Sequence, residues 1–167
     1  MSILFHNAKI LASPNEEIFA GAVLVEDNRI SYIGKESNNL SADRKVDCCG
    51  NLLMSGFCNA HSHSAMTLFR GIADDLPLDH WLNDLIFPLE KNLTPEDVYW
   101  GTMLQITEFL RGGITCFADM YFFPDSIYAA AKNAHMCLGL CCGESSLSKS
   151  NVVNEIEKNY NKYSYHK

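Results

Sequence analysis

The sequence lacks an uninterrupted apolar stretch long enough to cross a bilayer as a helix, which takes about 18 residues or more. It also lacks an excess of basic residues, because 13 Lys and Arg are outnumbered by 20 Asp and Glu, giving a formal charge of −7. The first absence argues against a transmembrane protein. The second argues against binding of nucleic acid or of an anionic membrane, since both attract basic surfaces. The opening residues M-S-I-L-F-H-N-A-K-I do not resemble a secretory signal.

Paired cysteine motifs are missing as well. None of the seven cysteines belongs to a C-x-x-C pair, which disfavours a zinc knuckle or a thioredoxin-type redox site. The count is odd, and four of the seven lie in the adjacent pairs Cys48-Cys49 and Cys141-Cys142. We therefore expect reduced, buried thiols and a cytoplasmic protein. A structural zinc protein that combines histidines with these cysteines is an alternative that the spacing disfavours.

The chain has the apolar content of a folded protein, with 47% hydrophobic residues over 167 positions. Residues 1–53 have the alternation typical of β-strands. A hairpin is predicted where A-V-L-V-E and R-I-S-Y-I-G flank the turn dipeptide Asp27-Asn28. This first segment, residues 1–53, is predicted to be a domain separate from residues 54–167.

From about residue 53 the pattern changes to strands that alternate with helices. Strands buried on both faces are predicted at L-L-M-S-G-F-C-N-A, I-T-C-F-A-D-M and M-C-L-G-L-C-C. Helices are predicted at 78–89, where Pro88 should bend or end the helix, at 94–111 behind a Thr94 N-cap, and at two later segments, P-D-S-I-Y-A-A-A-K-N-A and S-K-S-N-V-V-N-E-I-E-K-N-Y. Such alternation predicts an α/β fold with parallel strands joined by right-handed crossovers.

Two histidines, His61 and His63, end the first of these strands. Side chains at positions i and i+2 of a strand point the same way, so both imidazoles can reach one metal ion. The carboxyl ends of parallel strands are where α/β proteins collect their ligands and catalytic groups. Neutral imidazole suits zinc, iron and similar divalent ions. The alternative, two histidines in one loop that share no ligand, stays open from the residues alone.

Three further side chains are candidates with ordinary structural alternatives. Asp119 ends the strand I-T-C-F-A-D-M, where it is either a site residue or the cap of the next turn. Glu90 follows an apolar helix and, by periodicity alone, is a solvated residue at a helix end. Trp81 lies in the apolar stripe of the same helix, where core packing is the default.

The stretch H-S-H-S-A-M-T-L-F-R-G-I-A-D-D-L-P-L-D-H-W-L, followed by I-F-P-L-E and later by G-G-I-T-C-F-A-D-M-Y, resembles the amidohydrolase superfamily. It is most similar to the 5-methylthioadenosine/S-adenosylhomocysteine deaminases. The resemblance implies the N-terminal part of a metal-dependent (β/α)8 barrel, about three βα units, preceded by a small β-sandwich segment. It also implies hydrolytic deamination of an adenosine-type nucleoside with a divalent metal, zinc or iron.

The same resemblance assigns roles by position. His61 and His63 match two metal ligands, Glu90 matches a carboxylate that binds the ribose hydroxyls, and Trp81 matches a tryptophan near the adenine or thioether end of the substrate. Asp119 matches a motif position that carries no stated role, as do Met66 and Arg70. The remaining metal ligands and the general acid/base are expected beyond residue 167, so the catalytic residues themselves are unknown.

We therefore expect an incomplete fragment that is inactive alone and prone to aggregate, since an open three-stranded sheet exposes edges and apolar faces. A guanine-type deaminase or a triazine chlorohydrolase-like amidohydrolase is the alternative substrate class. A non-catalytic α/β remnant that binds a partner through its sheet edge is the alternative of another kind. The sequence does not give the oligomeric state.

Overall fold

The structure, a computed structural model, describes residues 1–72 and 74–141. The chain separates into two compact units, Met1–Ser55 and Gly56–Lys167. The assignment of residues 1–53 and 54–167 to two domains stays a prediction. Among the described residues, no helix has both the length and the apolar character needed to cross a membrane.

The first unit is a five-stranded sheet of order β3-β2-β1-β4, with β5 also paired to β1. The strands are β1 (Ser2–Leu11), β2 (Phe19–Glu26), β3 (Arg29–Gly34), β4 (Arg44–Asp47) and β5 (Leu52–Met54). Strand β1 is antiparallel to β2, and it is parallel to β4 along its first half and to β5 along its second half. The core of this unit forms around Ala8, Ile10 and Val23.

The predicted hairpin is confirmed. Strands β2 and β3 pair in antiparallel register on either side of Asp27 and Asn28. Asp27 has a φ of +54°, in the left-handed region that Asp and Asn tolerate better than most residues. The dipeptide therefore supplies the backbone shape that the tight turn needs.

The second unit contains a parallel sheet of order β6-β7-β8. Its strands are β6 (Phe57–Ser62), β7 (Ile114–Asp119) and β8 (Cys137–Leu140). Two long helices, α3 (Pro95–Arg111) and α4 (Pro124–Asn133), pack on the sheet. Their shared core includes Ile106, Phe109, Phe117 and Ile127. The strand–helix alternation predicted from the sequence is therefore present.

The chain between β6 and α3 is helical in short pieces. A 3₁₀ helix covers Ser64–Phe69, and α1 (Leu78–His80) leads through a π-helical turn, Trp81–Ile86, into α2 (Phe87–Glu90). The helical segment ends two residues after Pro88, in keeping with the prediction that this proline bends or ends it. Helix α3 begins with the predicted Thr94 cap, whose hydroxyl accepts from the Asp97 N–H while the Asp97 carboxylate accepts from the Thr94 N–H.

One predicted strand is wrong in its extent. The run L-L-M-S-G-F-C-N-A is not a single strand, because Leu52–Met54 pairs with β1 and Phe57–Ser62 pairs with β7. The break falls at Ser55-Gly56. A Cβ atom at Gly56 would overlap the side chain of Thr115 in β7. Glycine therefore permits the chain that enters β6 to lie close to β7.

The prediction that the strands of the second unit are buried on both faces is also wrong. Phe57 is 57% exposed, and Cys58 and Cys137 are exposed as well. The expectation of buried thiols is therefore wrong for these two cysteines, as it is for the exposed Cys49 and Cys141. Among residues 1–72 and 74–141, the helices cover the face of β7 that carries Phe117. The helix predicted around 148–160 and the last residue of the third predicted strand, Cys142, lie outside the described residues.

Candidate metal and substrate site

The two histidines at the end of β6 converge. The Nε2 atoms of His61 and His63 lie 3.2 Å apart, and the two rings are almost perpendicular, at 86°. The pairing of β6 with β7 is irregular between Asn59 and Ser62, which marks a bulge in this stretch. The side chain of Asn59 also accepts a hydrogen bond from the His61 N–H, at 3.2 Å. The bulge and this bond fix the backbone from which both imidazoles project.

A backbone carbonyl fixes the proton of one imidazole. His63 Nδ1 lies 2.7 Å from the carbonyl oxygen of Met120, the residue that follows β7. A carbonyl oxygen only accepts, so Nδ1 carries the hydrogen, and in the neutral ring Nε2 presents its lone pair. Such a bond from the far ring nitrogen is the usual support for a metal-binding histidine.

The pair fits a divalent metal ion by distance and by chemistry. Two nitrogens bound to one tetrahedral zinc at about 2.0–2.1 Å lie about 3.3 Å apart. The observed separation of 3.2 Å is within a tenth of an ångström of that edge. Imidazole nitrogens are suitable ligands for zinc and iron. Within residues 1–72 and 74–141, no group of three or more His, Cys, Asp or Glu side chains is arranged to hold a metal, so this part of the chain offers two ligands.

Asp119 lies beside the histidine pair and stabilises the backbone that follows His63. Its carboxylate is buried, with 1% exposed, and accepts hydrogen bonds from the Ser64 N–H at 3.1 and 3.3 Å. Burial raises the pKa of the Asp119 carboxyl, although the bonds from Ser64 act against this. The carboxylate therefore caps the 3₁₀ helix that begins directly after His63. Of the two interpretations left open by the sequence, the contacts favour the cap, although the turn that it caps follows β6 and not β7.

Glu90 is not the solvated helix-end residue that periodicity indicates. It is half-buried at the end of α2, and the phenolic O–H of Tyr121 donates to its Oε1 at 2.8 Å. Burial and the neighbouring Glu90 raise the pKa of Tyr121 well above its usual value, so the phenol stays protonated as a donor. The Tyr121 ring also lies near His63, with 6.4 Å between ring centroids.

Tyr121 is the residue that sequence reasoning missed. It is the last residue of the stretch G-G-I-T-C-F-A-D-M-Y, and the resemblance assigns it no role. Its location two residues after the end of β7, at the same edge as the histidines, is the signal that points to it.

Trp81 and Arg70 have anchoring contacts. The indole N–H of Trp81 donates to the carbonyl of Ile72 at 3.3 Å, and the ring is half-buried at the start of the π-helical turn. Within the described residues, no hydrogen bond joins Trp81 to the histidines or to Glu90. Arg70 makes a bidentate ion pair with Glu108, with both N–O distances at 2.8 Å. This ion pair connects the end of the 3₁₀ helix to α3.

Residues 52–164 match the model of the amidohydrolase family. The chain belongs to the amidohydrolase family. The resemblance predicted from the motifs around His61 and His63 is therefore confirmed, and amidohydrolases as a family are metal-dependent.

Curated relatives of the chain are amidohydrolases with deaminase names. The chain is 45% identical over 139 residues to a 5-methylthioadenosine/S-adenosylhomocysteine deaminase of Syntrophomonas wolfei, covering 81% of this chain and 32% of the relative. It is 41% identical over 133 residues to a 5'-deoxyadenosine deaminase of Methanobrevibacter smithii, covering 80% and 31%. The chain thus spans about a third of the length of the curated relatives that it matches.

Solved amidohydrolase structures share the fold. An adenosine deaminase from Xanthomonas campestris with bound zinc is 36% identical, with a TM-score of 0.76 over 81% of this chain and 32% of that one. A mutant atrazine chlorohydrolase from Arthrobacter aurescens, complexed with zinc and atraton, has a TM-score of 0.85 over 99% of this chain and 44% of that one. Its identity of 19% makes it evidence for the fold alone. The α/β class and the match to the N-terminal part of an amidohydrolase barrel are confirmed.

Proposed function

We propose that this chain contributes the first part of the active site of a hydrolase that deaminates an adenosine-type nucleoside. S-adenosylhomocysteine, 5-methylthioadenosine and 5'-deoxyadenosine are the substrates in view, since relatives at 41–45% identity are named for deamination of these compounds. The observation that carries the proposal is the convergence of His61 and His63 Nε2 at 3.2 Å, at a strand end of an amidohydrolase fold.

The described residues have distinct tasks in this proposal. His61 and His63 hold the divalent ion, for which zinc is our first choice and iron the second, and Met120 keeps the His63 proton on Nδ1. When bound, such an ion lowers the pKa of water so that hydroxide is available near neutral pH. Glu90 accepts hydrogen bonds from the vicinal ribose hydroxyls, a task for which one carboxylate has enough lone pairs. Trp81 contacts the adenine or thioether end.

Deamination of the nucleoside replaces the purine amino group by oxygen and releases ammonia, so the product is an inosine-type nucleoside. The general acid/base for this step is not assigned to any described residue. Asp119 is not our candidate, because its carboxylate is buried and bonded to the Ser64 N–H.

Substrate class is tested by turnover. The protein expressed from the complete reading frame that contains this chain is loaded with zinc. Ammonia release is measured with S-adenosylhomocysteine, 5-methylthioadenosine and guanine, and chloride release is measured with atrazine. We expect turnover of the nucleosides and its loss in His63→Ala. Glu90→Gln should reduce turnover of the ribosyl substrates most. Turnover of guanine or atrazine alone would overturn the nucleoside proposal in favour of the alternative classes.

The cellular setting is part of the proposal. We place the protein in the cytoplasm, supported by the free thiols at Cys48, Cys49, Cys58, Cys116, Cys137 and Cys141. Its partner is the small-molecule nucleoside, and the net charge of −7 supports the expectation that it binds neither nucleic acid nor an anionic membrane. Fractionation of cells that express a tagged protein tests the compartment.

A further inference from the structure

We propose that Tyr121 is a positioning residue that orients Glu90 toward the ribose of the nucleoside, an inference that rests on the proposed function. The phenolic O–H donates to Glu90 Oε1 at 2.8 Å, and both side chains are half-buried. The two residues are 31 positions apart in sequence, so the bond joins the end of α2 to the end of β7.

The bond selects one arrangement of the carboxylate. Glu90 is the last residue of a four-residue helix, and a glutamate side chain loses considerable rotational freedom when it is held in place. The Tyr121 bond satisfies part of Oε1 and leaves Oε2, with the remaining lone pairs, to accept from two neighbouring hydroxyls. The ordering is completed before the ligand arrives, which is the physical basis of tighter binding by a preorganised site.

Tyr121 can orient another group because it is itself fixed. It packs against the core cluster around Phe117, and its ring contacts Phe122 with 5.2 Å between centroids. The residue before it, Met120, accepts from His63 Nδ1 at 2.7 Å. One dipeptide after β7 therefore holds an imidazole of the candidate metal pair through its backbone and the candidate ribose carboxylate through its phenol.

The Tyr121–Glu90 hydrogen bond predicts how selectivity between nucleosides should change when the phenolic O–H is removed. Loss of the phenolic O–H should weaken contacts to the diol and leave contacts to the base and the 5' group unchanged. Tyr121→Phe is the suitable variant, because the ring that packs against the core is retained.

The experiment measures binding and not turnover. Protein expressed from the complete reading frame is loaded with zinc, and calorimetry gives the Kd for the deaminated product 5-methylthioinosine and for its 2'-deoxy analogue, neither of which carries the amino group that is hydrolysed. We expect Tyr121→Phe to weaken binding of the ribonucleoside by about tenfold, the effect of one hydrogen bond to a charged group. Binding of the 2'-deoxy analogue should change less than about twofold, so the ratio of the two affinities narrows.

Tyr99→Phe is the matched control. It also removes a phenolic oxygen that takes part in a hydrogen bond, from Asn133 Nδ2 at 3.1 Å, but this contact joins α3 to α4. The control should leave both affinities at wild-type values. An equal loss for both nucleosides in Tyr121→Phe, or no loss for either, overturns the inference while leaving the proposed function in place. A wild-type protein that binds neither nucleoside overturns the proposed function and the inference with it.

Discussion

The buried carboxylate of Asp119 accepts from the backbone N–H of Ser64, with distances of 3.1 and 3.3 Å to its two oxygens. This contact joins the end of β7 to the residue that follows His63. Asp119→Ala leaves the buried amide without its acceptor, so we expect the free energy of unfolding to fall by about 1–3 kcal/mol. Urea unfolding followed by circular dichroism measures the change.

Asp84→Ala is the control for Asp119. The Asp84 carboxylate also makes a 2.8 Å contact, with His80 Nδ1, but both side chains are largely exposed. Exposed pairs of this kind contribute little to stability, so no measurable change is expected. Equal destabilisation by the two substitutions would show that Asp119 is not the cap that we describe.

Gly101→Ala should destabilise the packing of the 3₁₀ helix on α3. Alanine normally stabilises a helix interior by about 1 kcal/mol relative to glycine. Here, however, the new Cβ would lie 2.9 Å from the Ala65 carbonyl oxygen and 3.1 Å from Leu68 Cγ. Overpacking of this kind typically costs about 1–3 kcal/mol, so we expect a lower Tm by differential scanning calorimetry.

A second glycine of the same region serves as the comparison. A Cβ at Gly112 would meet backbone oxygens of its own helix at 3.4 and 3.5 Å, and its φ of −86° suits any residue. Gly112→Ala should therefore keep a Tm near that of the wild type. A Tm for Gly101→Ala at or above the wild-type value would contradict the close contact.

Cys116 should react slowly with alkylating agents. Cys58, Cys116 and Cys137 occupy paired positions on β6, β7 and β8. Interaction with the Cys137 thiol, burial and the Cys58 thiol raise the pKa of Cys116 to about 12. The thiolate is the nucleophile, so the alkylation rate of Cys116 should rise about tenfold per pH unit between about pH 7 and pH 9.

Timed treatment with iodoacetamide, followed by peptide mass spectrometry, measures the rate at each cysteine. The exposed Cys49 is the internal comparison and should be modified well before Cys116. A rate for Cys116 equal to that for Cys49 at neutral pH would contradict the raised pKa.

Local chemistry explains which features could be predicted from the sequence. The turn at Asp27-Asn28 and the Thr94 N-cap depend on residues next to each other or three apart. The strand-end location of His61 and His63 follows from an apolar run that stops at a polar one. The fold could be predicted because the motifs resemble those of amidohydrolases, and the match to that family extends over most of the chain.

The remaining features depend on partners far away in the chain. The run from Leu52 is apolar throughout, and only the pairing of its halves with β1 and with β7 divides it. Periodicity indicates that Glu90 is solvated, but the phenol of Tyr121, from the loop after β7, donates a hydrogen bond to it. No periodicity within a helix or strand encodes such contacts, because the partners come from elements far apart in the chain.

In the site that we propose, His61 and His63 bind one metal ion through Nε2. Crystals of the zinc-loaded protein, measured on both sides of the zinc absorption edge, test it most directly. We expect an anomalous peak about 2.0–2.1 Å from both Nε2 atoms. Zinc bound at other residues, with no peak between these two rings, would contradict it.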